Sequence, residues 1–209
     1  MSQNYDYIRE GTAIYAQSFA TIRAETDLGR FSRDEERVVV RVIHASGMTD
    51  IADSIRFTPG ATEAGRTALS AGRPILCDSE MVARGIIRSR LPAENRIVCT
   101  LNEDGVPDLA QRIANTRSAA AVELWGSQLD GALVAIGNAP TALFHLLELI
   151  DAGGPRPALI LGMAVGFVGA AESKEALAET ALESIIVAGR RGGSAMAVAA
   201  VNALASERE

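Results

Sequence analysis

Few residues in this chain can do chemistry at neutral pH. It has 2 histidines, and histidine is the side chain whose ordinary pKa lies nearest neutrality. His44 stands in VIHASGM, Val42 to Met48. At helical spacing Arg37, Arg41 and His44 fall on one face, one turn apart. His44 therefore belongs to a basic stripe, in the last turn of a predicted helix, where the dipole favours a cation. A protonated His44 there would be a competent general acid. The alternative is that it only caps its own helix through the last carbonyls. His145, in TALFHLLELI, is surrounded by apolar residues on a predicted helix and reads as structural.

Anion recognition is the second chemistry the residue types allow. Lys174 is the only lysine among the 20 Lys and Arg residues, so the positive charge is carried almost wholly by arginine. That bias fits a GC-rich genome, and it also fits recognition of carboxylates, which a guanidinium grips through two parallel hydrogen bonds. Three glycine-bearing loops follow strand patterns and precede helix patterns: GNAPTAL (137–143), GMAVGFVGAAESK (162–174) and AGRRGGSAMA (188–197). Glycine lets backbone approach a ligand, and helix amino ends present unpaired amides to anions. Arg190 and Arg191 add charge at one such end. None of the loops is a GxGxxG, and Ser173 before Lys174 excludes a P-loop. Tight turns without a ligand would leave the same glycines.

These residues need elements to position them. From Pro74 onward strands alternate with helices. PILCD, RIVCTL, ALVAIGN, ALILGMAV and SIIVAG read as five strands. EMVARGIIRSR, Asp108 to Trp125, Thr141 to Ala152, Glu172 to Glu183 and Ser194 to Ser206 read as helices. Strands apolar throughout and separated by helices predict an α/β fold with a mainly parallel sheet of about five strands covered on both faces. The first 72 residues read as a helical segment with one short strand, SIRF (54–57), and residues 73–209 as the alternating core, together one domain. Tyr7 to Arg23 and Ala61 to Ala71 have helical patterns. Ser32-Arg33-Asp34-Glu35 predicts a capping box, and Gly47 a left-handed cap, bounding a helix over Arg33 to Ser46. Its Val38-Val39-Val40 run also admits a strand.

Bulk properties exclude several classes. A net charge of −6 is not the basic footprint of a nucleic-acid binder. The longest apolar run, Ala158 to Ala171, is broken by glycines and too short to span a bilayer, which takes about 20 residues. Cys77 and Cys99 lie in apolar runs without metal-ligand spacing. With no signal-peptide pattern at the start, they read as reduced thiols in a cytoplasmic protein. The ends, residues 1–6 and 206–209, are expected to fray. Aromatic residues are only 4% of the chain, so a large flat ligand would be gripped mainly by aliphatic side chains and glycine backbone.

Several segments, taken in order, resemble the precorrin-8X methylmutase family: YAQSFATIRAE, VIHASGMTDIADSIRF, PILCDSEMVARGI, TRSAAAVELW, GNAPTAL, VGFVGAAESK and GRRGGSAMAVAAVNAL. The resemblance runs from about Tyr7 to Leu204. It implies a Rossmann-like α/β sandwich and an isomerase of cobalamin biosynthesis. Such an enzyme moves a methyl group from carbon 11 to carbon 12 of precorrin-8X to give hydrogenobyrinic acid. It further implies a homodimer with the active site at the subunit interface, and neither metal nor organic cofactor. The family's catalytic histidine matches His44, and its substrate contacts match Ser18 and Arg41. Tyr15, Arg117, Gly193 and Ser194, within the matching segments, are expected substrate contacts too. The alternatives are a cobalt-precorrin-8 methylmutase giving cobyrinate, a Rossmann-type nucleotide-dependent oxidoreductase, and a non-catalytic tetrapyrrole carrier.

Overall fold

The computed structural model describes residues 5–207; the outermost of the residues expected to fray lie outside that range. The element order is α1 (Gly11–Glu25), α2 (Arg33–Ser46), β1 (Ile55–Phe57), α3 (Ala61–Ser70), β2 (Ile75–Cys77), α4 (Glu80–Gly85) and β3 (Ile97–Val98). There follow α5 (Val106–Arg112), α6 (Arg117–Glu123), β4 (Leu133–Ile136), α7 (Pro140–Asp151), β5 (Leu159–Gly162), α8 (Ala170–Ala178), β6 (Ser184–Val187) and α9 (Ser194–Ala205).

Alternation along the strands sorts their side chains between two helical layers, as the period of two requires. Ile75, Leu133, Leu159 and Ile185 face a core shared with α1, α2, α3, α4 and α9. Leu76, Val134, Ile160 and Ile186 face a second core shared with α6, α7 and α8. The sheet order is β1-β6-β5-β4-β2-β3. All neighbours pair in parallel except β1, which runs antiparallel to β6 with Ile55 opposite Val187. The sheet thus has six strands where the pattern predicts about five. SIRF forms the short strand expected of it and closes the β6 edge, and α2 packs along α9, so the first 72 residues are built into the core.

The start of α2 matches its sequence signals closely. Ser32 accepts the Glu35 amide while the Glu35 carboxylate accepts the Ser32 amide, and Gly47 closes the helix at φ 68°. Val38, Val39, Val40, Val42 and Ile43 are all buried, because α9 lies along one side of the helix and α1 along another. Each such side chain contributes roughly 1.5–3 kcal/mol. Helix therefore prevails over the strand reading of the valine run.

Three helix readings are corrected. Asp108 to Trp125 is two helices. Ala114 turns the chain at φ 50°, and Thr116 caps α6 by accepting the Ala119 amide. EMVARGIIRSR stops at Gly85, where a Cβ would lie 2.6 Å from Val198. Asn202 of α9 accepts the Ile87 amide and donates to the Gly85 carbonyl, so a side chain of another element takes over the backbone groups the helix would have used. The helix expected over Glu172 to Glu183 begins at Ala170 and ends at Ala178.

Candidate active site

The parallel strands run outward from β2 to β3, then return past β2 to β4 and onward. Strand order therefore reverses between β2 and β4, and ligands of such sheets bind beyond the carboxyl ends of the strands. Because Ile55 sits opposite the end of β6, the turn joining α2 to β1 lies at that same edge. His44, three residues before Gly47, is carried there, together with Ser194 at the start of α9.

The Nδ1 atom of His44 is 2.8 Å from the Ser18 hydroxyl. Its ring lies 5.3 Å from that of Tyr15 and 5.2 Å, edge-on, from Phe19. Nε2 has no hydrogen-bond partner among the described residues. The Arg41 guanidinium stands 5.5 Å over the Phe19 ring. One cavity of about 370 Å³ is lined by Tyr15, Arg41, His44, Met81, Ser194 and Asn202. A second, of about 410 Å³, opens on the other side of the Ser18–His44 pair. Sequence spacing brings out the arginine stripe but not the hydroxyl, since Ser18 reaches His44 from another helix. Of the chain's few aromatic residues, Tyr15 and Phe19 flank the histidine, while Met81, Gly85, Ile87 and Val198 line the same cavity.

Two features of the folded site act on the charge of His44 against the helix dipole. Partial burial disfavours the imidazolium, and the neighbouring Arg41 guanidinium repels it. Both effects hold the ring's pKa below its ordinary value. Arg37, the third member of the stripe, is bound instead to Asp34 at 2.6 Å and to Glu207 at 3.5 Å.

The remaining expected residues divide. Ser194 joins the His44 cavity. Gly193 precedes it at φ 128° and spends its amide on the Met163 carbonyl. Arg191 is committed to Asp50 at 2.7 Å and to Ser54, while Arg190 lies over the exposed Phe167 ring. Arg117 sits at the start of α6, on the other layer, bonded to the Leu101 carbonyl and to Asn102; it lines neither His44 cavity of this chain. A larger cavity of about 550 Å³ lies at the opposite end of the sheet, among Gly60, Ala64, Thr67 and Ala71, and holds no histidine or cysteine.

Sequence reasoning missed Asp78. This buried carboxylate at the end of β2 accepts the amides of Gly137, Asn138 and Ala139 at 2.9, 2.8 and 2.7 Å. Burial raises its pKa, and the three amides oppose that. Asp78 therefore fills the amino end of α7 at the point of strand reversal, where a nucleotide phosphate would otherwise bind. Among the described residues no three His, Cys, Asp or Glu side chains are grouped to hold a metal, and no helix is long and apolar enough to cross a membrane.

Fold and site together define a doubly wound α/β enzyme with a histidine–serine pair beyond the carboxyl edge of its sheet. A family model described as precorrin-8X methylmutase matches residues 13–207. A Pseudomonas aeruginosa protein named precorrin-8X methylmutase is 65% identical over 98% of this chain and 99% of its own. A Sinorhizobium protein of the same name is 58% identical over 96% and 97%. The crystal structure of a Thermus thermophilus precorrin-8X methyl mutase superposes with a TM-score of 0.86 at 43% identity, over 93% of this chain and 95% of that one. The chain belongs to the precorrin-8X methylmutase family, and it is an isomerase of cobalamin biosynthesis.

Proposed function

We propose that this enzyme moves the methyl group of precorrin-8X from carbon 11 to carbon 12, giving hydrogenobyrinic acid, with His44 as the proton donor to the macrocycle. The observation that carries the reading is the Ser18–His44 pair, with Nδ1 engaged at 2.8 Å and Nε2 left for a ligand. Carbon 11 passes from sp3 to sp2 as carbon 12 passes the other way, and the atoms balance within one molecule. Protonation of an adjacent ring nitrogen by His44 draws electron density from the migration origin, and the same proton returns to His44 afterwards. Stabilisation of charge that develops only in the transition state is what accelerates such a step. The lowered pKa makes the imidazolium a stronger acid. Substrate carboxylates close to the ring favour its charged form, so that His44 carries the proton when substrate is bound.

Arg41 anchors a peripheral carboxylate and sets the register of the ring, and Tyr15 and Ser194 line the same cavity. The chain's net charge of −6 gives a polycarboxylate no general steering, so local guanidinium groups must hold it. The enzyme acts as a homodimer with its active site at the interface. Tyr15, Met81 and Ile87 beside the cavity are 47, 72 and 42% exposed, an apolar rim of the kind a second subunit covers. Each His44 cavity is also at the lower end of the roughly 300–1,000 Å³ that drug-sized ligands occupy, too small alone for a macrocycle. Arg117, remote from His44 in its own chain, is a candidate for supply across that interface. The Pseudomonas aeruginosa and Sinorhizobium relatives both carry the name of the metal-free substrate, which favours precorrin-8X over its cobalt form.

The test is an absorption spectrum of the protein mixed with precorrin-8X, wild type beside His44→Ala. A yellow-to-pink change in wild type alone supports the assignment. A change in both keeps the enzyme and removes His44 from the chemistry. Binding without change in wild type leaves a tetrapyrrole carrier, and turnover of cobalt-precorrin-8 alone reassigns the substrate.

A further inference from the structure

Lys174, the only lysine of the chain, lies on α8 and is 0% exposed. Its Nζ donates to the Ala164 carbonyl at 2.8 Å and to the Arg191 carbonyl at 2.7 Å. It makes no ion pair with any described residue. Burial pulls the amine down to about 8, as happens when the interior disfavours the charged form. A buried cation without a counter-ion is an expensive way to join two turns.

Its two partners belong to different glycine loops, those leading from β5 to α8 and from β6 to α9. Around the ammonium the same loops meet again. The Gly193 amide donates to Met163 at 2.8 Å and the Gly166 amide to Arg190 at 3.1 Å. Gly192 fits only as glycine, since a Cβ would lie 2.3 Å from the Met163 oxygen. Arg191 then extends the linkage: its carbonyl holds Lys174 while its guanidinium holds Asp50 and Ser54, in the turn that follows the helix of His44. A cavity of about 380 Å³, lined by Met48, Phe167, Arg190 and Gly192, lies between these loops and that turn.

We propose that Lys174 is a positioning residue. Its ammonium clamps the Ala164 and Arg191 carbonyls, and so holds Arg190, Gly192 and Ser194 in the register at which the edge receives a polycarboxylate tetrapyrrole. The proposal rests on the function proposed above. It differs from a purely structural role in acting on substrate affinity rather than on the chemical step or on folding.

The experiment compares wild type with Lys174→Met and Lys174→Gln. Amide hydrogen exchange at Gly166 and Gly193 is read in the ligand-free protein, and KM and kcat with precorrin-8X. In the Met variant both amides should exchange at least tenfold faster, and KM should rise at least tenfold with kcat within threefold. The Gln variant, which keeps a neutral N–H donor, should fall between. Unchanged KM in the Met variant overturns the proposal, as does a loss confined to kcat. Failure of both variants to fold overturns it too, because the lysine would then serve the fold itself. A wild-type protein that does not turn over precorrin-8X refutes the assigned reaction instead, while the exchange data, which need no substrate, still decide whether Lys174 holds the loops.

Discussion

The two histidines sit in opposite layers, and what occupies their ring nitrogens separates them. His145 on α7 has both nitrogens taken by carboxylates: Nε2 is 2.8 Å from Glu123 and Nδ1 is 3.0 Å from Glu148. Nothing of that ring is left for a ligand. His44 has one nitrogen on Ser18 and the other unengaged, with two aromatic rings holding its plane and an arginine at its flank. In sequence the contrast looks different. His44 stands in a charged stripe and His145 in an apolar run, yet it is His145 that meets the acids. A histidine's role here follows from partners on other helices, not from its neighbours in the chain.

That comparison can be broken by substitution. The largest effect expected is on turnover in His44→Ala, a fall of about 10²-fold or more, the usual worth of a positioned proton donor. Product affinity in that variant should stay within a few-fold, read by absorption titration. Near-normal turnover would end the distinction between the two rings. Next comes Arg41→Ala, in which the dissociation constant for hydrogenobyrinic acid should rise about tenfold or more, as charge-assisted hydrogen bonds are worth roughly 1.5–3 kcal/mol. Unchanged affinity would show that Arg41 acts only on the pKa of His44.

Ser18→Ala sharpens the contrast from the other side. Losing one neutral hydrogen bond, of about 1 kcal/mol, should lower kcat by about fivefold with KM little changed. No effect on kcat would mean that the aromatic rings alone orient His44. His145→Gln should leave turnover within twofold while costing about 1 kcal/mol of stability in urea titration, as bonds to both carboxylates are weakened. A collapse of turnover there would move the catalytic assignment to the other layer.

The smallest effects are those of pH. His44 in the free enzyme titrates below 6.5, so kcat/KM, which reports the free enzyme, should fall as pH rises through that point toward neutrality. The corresponding limb of kcat should lie higher, because bound carboxylates favour the imidazolium. For stability, a depressed histidine pKa means that the unfolded chain takes up its proton first as pH falls. Stability attributable to His44 is therefore present above about 6.5 and declines below it. His44→Gln should flatten that decline in urea titrations at pH 5 and 7. An identical slope in both proteins would show that neither burial nor Arg41 perturbs the ring.

Much of the fold can be read from the chain because its signals are local. Ser32, Glu35 and Gly47 bound α2 at the residues the capping rules select, and the five apolar runs after Pro74 are the five parallel strands. The readings that failed were those that another element overrides. Gly85 ends α4 because Val198 and Asn202 of α9 meet it there. SIRF does form the strand its pattern predicts, and only its antiparallel place at the edge is set by β6, the strand it reaches. The break after Arg112 does have a local signal, Asn115-Thr116, the kind of residue that caps a helix.

The sequence alone determined the layered α/β architecture, the helix that carries His44 and Arg41, and the glycine turns at one edge of the sheet, since periodicity, caps and turn residues act over a few positions. Tertiary structure alone decided the chemistry of those groups. It placed Ser18 on His44, left Nε2 unpaired, filled the α7 amino end with Asp78, and buried Lys174 between two loops. Each of these depends on groups tens of residues apart brought within hydrogen-bond reach. Desolvation and neighbouring charge, the forces that set a pKa or satisfy a buried ion, exist only once the chain has folded.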